Sequence, residues 1–150
     1  MLQEKNKKAA AVFWALSAVC MAVIFYFSSR TATVSTGQSN VFVQWLINLF
    51  GESELWVFIV RKSAHCLEFT GLAFLLGWAV LFTKGKTNII IPFLIASLYG
   101  VSDEVHQLFV EGRSCEFRDW AIDSFGAILG IIGFIIIFKI VDEILSKRKK

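Results

Sequence analysis

Apolar residues gather in four stretches of the chain, 9–27, 64–82, 89–109 and 121–140, and most charged residues fall between them or near their ends. A helix needs roughly 20 apolar residues to cross a hydrocarbon layer of about 30 Å, and each stretch comes close to that length. The pattern predicts four membrane-spanning helices. The long connection between the first two, from residue 30 to about 60, holds a further apolar segment, Val41–Phe50, that is too short to span. Ser39 ahead of it is a fitting N-cap and Gly51 a fitting C-terminal stop. This predicts a short interfacial helix in the outer leaflet, with Trp45 and Trp56 at headgroup level, acting as a structural cap or as a gate for substrate.

Composition strengthens the membrane reading. Of 150 residues 56% are hydrophobic, and the mean hydropathy of +0.64 is too high for a soluble domain of this size. A single Pro and the lack of any low-complexity tract leave no linker, so residues 1–150 read as one domain. The net charge of +3 is modest, and the basic residues are not interleaved with aromatics along a soluble stripe, which excludes nucleic acid as an expected partner. Three cysteines without C-x-x-C spacing argue against a disulfide framework or a zinc knuckle, and Cys20 reads as packing filler. The first apolar stretch follows Lys5, Lys7 and Lys8 like a signal peptide. Its apolar run is too long for a signal core, and Thr31-Ala32-Thr33 is a poor cleavage site, so an uncleaved helix is expected.

The ends of the four stretches divide the basic residues unevenly. Lys5, Lys7, Lys8, Lys84, Lys86, Lys139, Lys147, Arg148, Lys149 and Lys150 fall on one side, against Arg30, Arg61, Lys62, Arg113 and Arg118 on the other. Cytoplasmic segments are enriched in Lys and Arg, so both termini are expected inside a bacterial cytoplasmic membrane.

Depth counting then gathers the acidic residues. Glu68 lies 15 residues before Thr83, Asp103 lies 15 after Asn88, and Asp123 lies 16 before Lys139. At 1.5 Å per residue each is about 22–24 Å from the inner boundary, which predicts one polar layer beneath the outer surface. Arg61, His65 and Glu68 share a helical face, as do Asp103, His106 and Gln107, and as do Asp119, Asp123, Gly126 and Gly130. The G-x-x-x-G in the last set admits a close helix neighbour and turns that face inward. Buried carboxylates need compensation. With Glu104 the layer holds five acids, and Arg61, Lys62, Arg113 and Arg118 can balance them. The bland account is a self-neutralising ion-pair lattice, and the functional one is a wet pocket open to the outside.

At these residues the sequence resembles the VanZ-like family of bacterial multi-pass membrane proteins. The blocks are Phe27-Ser28-Ser29, Arg61-Lys62-Ser63-Ala64-His65 followed by Glu68, Ser102-Asp103-Glu104-Val105-His106-Gln107, Gly112-Arg113, and Asp119 followed by Asp123, Gly126 and Gly130. The resemblance implies an envelope function of the kind that gave the family its name, low-level resistance to the glycopeptide teicoplanin, with no settled biochemical activity. The chain departs from the family pattern in carrying Phe69 where many members have Tyr, and Arg30 where they have Gln. Cys66 and Cys115 fall at variable positions on the outer side, and whether they pair is open.

Three chemistries fit the residues. In the favoured one the pocket binds the head of a lipid-linked molecule or envelope precursor: Arg61, Lys62 and Arg113 meet phosphate or carboxylate, and Gln107, Asp119 and Asp123 complete the binding set. In the second, His65 or His106 is the general base of an intramembrane hydrolase or transferase, with Glu68, Asp103 or Glu104 as acidic partner. Ser63, Ser102, Ser124 and Cys66 are nucleophile candidates by proximity alone. No cofactor is required, but His65, Glu68, Asp103 and His106 are the ligand types for a divalent metal, in a spacing that matches no zinc signature. A transporter is the third, disfavoured by the small size and the lack of an inverted repeat. The membrane lipids are the expected partners throughout.

Overall fold

The computed structural model describes residues 3–53 and 55–148, and of residues 32–40 the backbone only. It contains five helices: α1 (Lys7–Ser28), α2 (Ala32–Phe50), α3 (Leu55–Lys84), α4 (Ile90–Gln107) and α5 (Phe117–Lys147). There are no strands among the described residues. Asn6 begins α1, its side chain accepting from the Ala9 amide at 3.1 Å.

Helices α1, α3 and α5 are long and apolar enough to cross a membrane. At about 1.5 Å per residue, the 30 residues of α3 span roughly 45 Å, well beyond the hydrocarbon layer. Of the four spans expected, three therefore qualify by length and composition. The fourth, α4, has 18 residues and carries Asp103 and Glu104 close to its C-terminal end, which it reaches at Gln107 rather than residue 109.

The connection between α1 and α3 is also more helical than its apolar pattern suggested. Val41–Phe50 is only the second half of α2, which starts at Ala32 with Thr31 as its N-cap residue, so Ser39 is not the cap. A backbone helix can run through the polar stretch from 33 to 40, where no apolar period marks it. Gly51, at φ 87°, does end the helix. Trp56 folds back there, its indole N–H donating to the Gly51 carbonyl at 2.9 Å.

The central helix is α3, which packs against all four others. Its neighbour α5 runs parallel to it, and their seam is lined by glycines. A methyl group on Gly126 would collide with the Cys66 carbonyl, and one on Gly130 with the Thr70 carbonyl. Only the bare backbone permits this approach. Thr70 uses it, its hydroxyl donating to the carbonyls of Cys66 at 2.7 Å and Gly126 at 3.0 Å. The core continues through Ile24, Phe69, Leu72, Leu76, Ala96 and Ala127, all buried. Large apolar residues such as Val19, Leu98 and Phe125 point outward, as a lipid solvent allows.

Helix α1 runs against α3: the Asn6 amide donates to the Phe82 carbonyl at 2.9 Å, and the Trp14 indole to the Thr83 hydroxyl at 3.0 Å. The end of α1, the start of α3, the end of α4 and the start of α5 consequently share the opposite end of the molecule.

Candidate functional site

At that shared end the sequence supplies short polar side chains where long apolar ones stand elsewhere. Asp103, in the last turn but one of α4, is 3% exposed. Its Oδ2 accepts from the Ser28 hydroxyl at 2.8 Å and from the Gln107 amide at 2.9 Å, and Gln107 also donates to Ser28 at 2.9 Å. This closed ring joins the last turns of α1 and α4. Two turns into α5, Asp123 is 1% exposed, and its Oδ1 lies 3.6 Å from His65 Nδ1 on α3, too long for a hydrogen bond. Glu68, one turn below His65, is within electrostatic reach of His65, Asp103, Asp123 and Arg113. Among the described residues, Asp103 Oδ1 and both Asp123 oxygens have no hydrogen-bond partner. Burying a carboxylate that way costs several kcal/mol or more.

Above these acids lies a polar cleft of about 160 Å³, lined by Phe58, Arg61, Lys62, Gln107, Arg113 and Asp119 among others. Lys62 forms an ion pair with Asp119 across the α3–α5 junction. Arg118 pairs with Glu116 at 2.8 Å and lies over the Phe58 ring at 4.9 Å. Glu116 is held below the usual carboxylate range by the Ser114 hydroxyl, at 3.0 Å, and by Arg118. Gly112, at φ 73°, turns the α4–α5 connection so that Arg113 enters the cleft, where its Nε donates to the Arg30 carbonyl at 3.2 Å. Burial, and then the neighbouring charge of Arg61, push the Arg113 guanidinium down from its ordinary value, though an arginine stays cationic at neutral pH. Among the described residues, neither Arg61 nor Arg113 forms an ion pair.

A sequence profile of the VanZ/LLP1 family matches residues 13–139. The chain belongs to the VanZ/LLP1 family. No curated protein matches it, and no solved structure does. This VanZ/LLP1 chain is accordingly a membrane protein, and its cleft and buried acids lie within the matched residues.

Two of the residues grouped with this layer in the sequence make their nearest contacts elsewhere, Glu104 while staying within the field of Asp103, Asp119 and Asp123. Glu104 turns toward α5, where its Oε2 accepts from the Glu116 amide at 2.8 Å and so satisfies an otherwise free N–H at the start of that helix. His106 packs its ring against Phe25 of α1, with centroids 4.3 Å apart. The set His65, Glu68, Asp103 and His106 therefore does not converge, and among the described residues no three His, Cys, Asp or Glu side chains come together as a metal site.

The nucleophile candidates are also dispersed. Ser124 lies 3.0 Å from Ser97, whose hydroxyl also accepts from the Trp120 indole at 3.1 Å, an ordinary contact between helices. Ser63 faces an apolar groove between α2 and α3, Ser102 is exposed, and the three cysteines are free. No hydroxyl or thiol among the described residues hydrogen-bonds to His65. The residue the spacing missed is Ser28, fully buried and bonded to both Asp103 and Gln107. Its only signal was the Phe27-Ser28-Ser29 block.

Proposed function

We propose that this VanZ/LLP1 protein binds an envelope molecule through an anionic group, in a cleft that opens on the outer face of the bacterial cytoplasmic membrane. In this reading α4 crosses the membrane with α1, α3 and α5, both termini are cytoplasmic, and the ligand is lipid-linked. One observation carries the proposal: two guanidiniums, Arg61 and Arg113, face the same cleft within each other's field, and among the described residues neither forms an ion pair. Like charges are held together at a cost unless an anion joins them, and guanidiniums meet phosphate or carboxylate in a bidentate fork. The lipid-linked character is supported by the apolar groove on the neighbouring face of α3, about 300 Å³ and lined by Phe42, Trp45, Leu46, Ile59 and Leu67 among others. That groove suits the hydrocarbon chain of the same ligand. An effect on teicoplanin susceptibility would then come from holding or presenting an envelope precursor.

The test is photo-crosslinking of a polyprenyl-diphosphate sugar to the full-length protein in lipid nanodiscs. Arg61→Ala and Arg113→Ala should each reduce capture by about tenfold or more, the size expected for a lost charge-assisted contact of roughly 1.5–3 kcal/mol. Undiminished capture by both variants would overturn the reading.

A second reading rests on the 3.6 Å approach of Asp123 to His65 Nδ1: tightened to a hydrogen bond once a substrate is in place, it would orient the imidazole so that Nε2 serves as base toward a water. Release of free head group in the same nanodiscs, abolished by His65→Gln, would favour it over binding alone.

A further inference from the structure

Resting on the binding reading above, we infer that the ligand's head group is zwitterionic, with a primary ammonium beside its phosphate. The cleft and the layer of acids behind its lining form two electrical levels, joined through Gln107. The lip of the cleft carries the guanidiniums of Arg61 and Arg113, neither of which forms an ion pair among the described residues. Beneath the lip lie three carboxylates, Glu68, Asp103 and Asp123, with one imidazole, His65, among them. An anion alone would satisfy the upper level and leave the lower one as it stands.

Unmet hydrogen-bonding capacity continues from the cleft, where Asp119 Oδ1 has no partner among the described residues, into the lower level. Asp123, 1% exposed, presents two oxygens and Asp103, 3% exposed, presents one, none with a partner among the described residues. Such acceptors call for a compact donor bearing positive charge, and a primary ammonium offers three N–H groups in a small volume. A quaternary ammonium has the charge but no donor. A guanidinium is planar and larger.

The two levels are joined. Gln107 lines the cleft and bonds directly to Asp103. Arg61 is one turn from His65 on α3, and His65 stands against Asp123. The step from lip to floor is therefore about one helical turn, roughly 5–6 Å, comparable to a phosphate and an amine separated by a two-carbon bridge. The small residue at the floor, Ser28, keeps Asp103 Oδ2 occupied and leaves Oδ1 as its free acceptor.

The experiment is native mass spectrometry of the full-length protein with a head-group series on identical acyl chains: phosphatidylethanolamine, its N-acylated form, phosphatidylcholine and phosphatidylglycerol. Phosphatidylethanolamine should be retained at least about tenfold better than the other three. Asp123→Asn and Asp103→Asn should erase that preference, bringing phosphatidylethanolamine retention to the level of phosphatidylglycerol in the same variant, and the wild-type series stands even if either variant fails to fold. Equal retention of all four, sensitive to Arg61→Ala, would overturn the zwitterion and keep the anion site. Retention of all four insensitive to Arg61→Ala and Arg113→Ala, or of none, would overturn both. Competition by soluble glycerophosphoethanolamine separates a free zwitterion from a lipid-borne one, the head-group chemistry being the same.

Discussion

Ser28 illustrates how much a small side chain carries once it is buried between helices. Its hydroxyl both donates to Asp103 and accepts from Gln107, so Ser28→Ala leaves two buried polar groups short of a partner. A loss of about 1–3 kcal/mol is expected, read as a lower midpoint of unfolding in detergent. Ser29→Ala should shift it far less, since Ser29 only returns its proton to the Phe25 carbonyl of its own helix. The spacing of the sequence put Asp103, His106 and Gln107 on one face, yet only Gln107 reaches the acids. Positions three and four along a helix lie about 60° and 40° to opposite sides of the first, and that difference sends His106 to Phe25 of α1. Periodicity gives a face to each helix. It does not give the rotation of one helix against another, which decides whether a residue at the edge of that face is inside or outside the site. Glu104, read from the sequence as a member of the acid layer, lies within the field of Asp103, Asp119 and Asp123 and also turns one oxygen to the start of α5, which the periodicity did not announce.

Among the elements, α3 and α5 set the geometry of the rest. Their glycine seam was legible from Gly126 and Gly130, because backbone approach leaves a distinct spacing in the sequence. Which helix it meets was not, since a G-x-x-x-G has no complementary signature on its partner. Adding one methyl should force the helices apart: Gly126→Ala and Gly130→Ala are expected to cost more than about 2 kcal/mol each and to lower the thermal midpoint in detergent. Gly71→Ala, on the open side of α3, should leave it unchanged or slightly raised, because nothing stands within 4 Å of the new methyl and alanine is the better helix former. The start of α2 was hidden for the opposite reason: after Ala32 its residues through Asn40 are polar, β-branched or glycine, so neither pattern nor propensity announces a helix.

At the scale of the whole molecule, the start of α1 and the end of α5 lie at the opposite end from the cleft. Lys5, Lys7, Lys8, Lys84, Lys86, Lys147 and Arg148 belong to the end away from the cleft; Lys149 and Lys150, part of the same count, lie outside the described residues. In the proposed orientation, which rests on this charge bias, the cleft faces outward. Cys115, exposed in the connection between α4 and α5, reports on this directly. In a variant with Cys20 and Cys66 replaced by Ala, a membrane-impermeant maleimide should label Cys115 in intact cells, whereas a cysteine placed at Ser146 should react only after lysis. The reverse pattern would place the cleft in the cytoplasm. The bond from the Glu116 amide to Glu104 also ties off the connection that bears Arg113, and Arg113 itself is pinned to the Arg30 carbonyl. The entrance thus resembles a doorframe more than a door. Capture should run in a single kinetic phase, its observed rate rising in proportion to ligand concentration, with no slower rearrangement behind it.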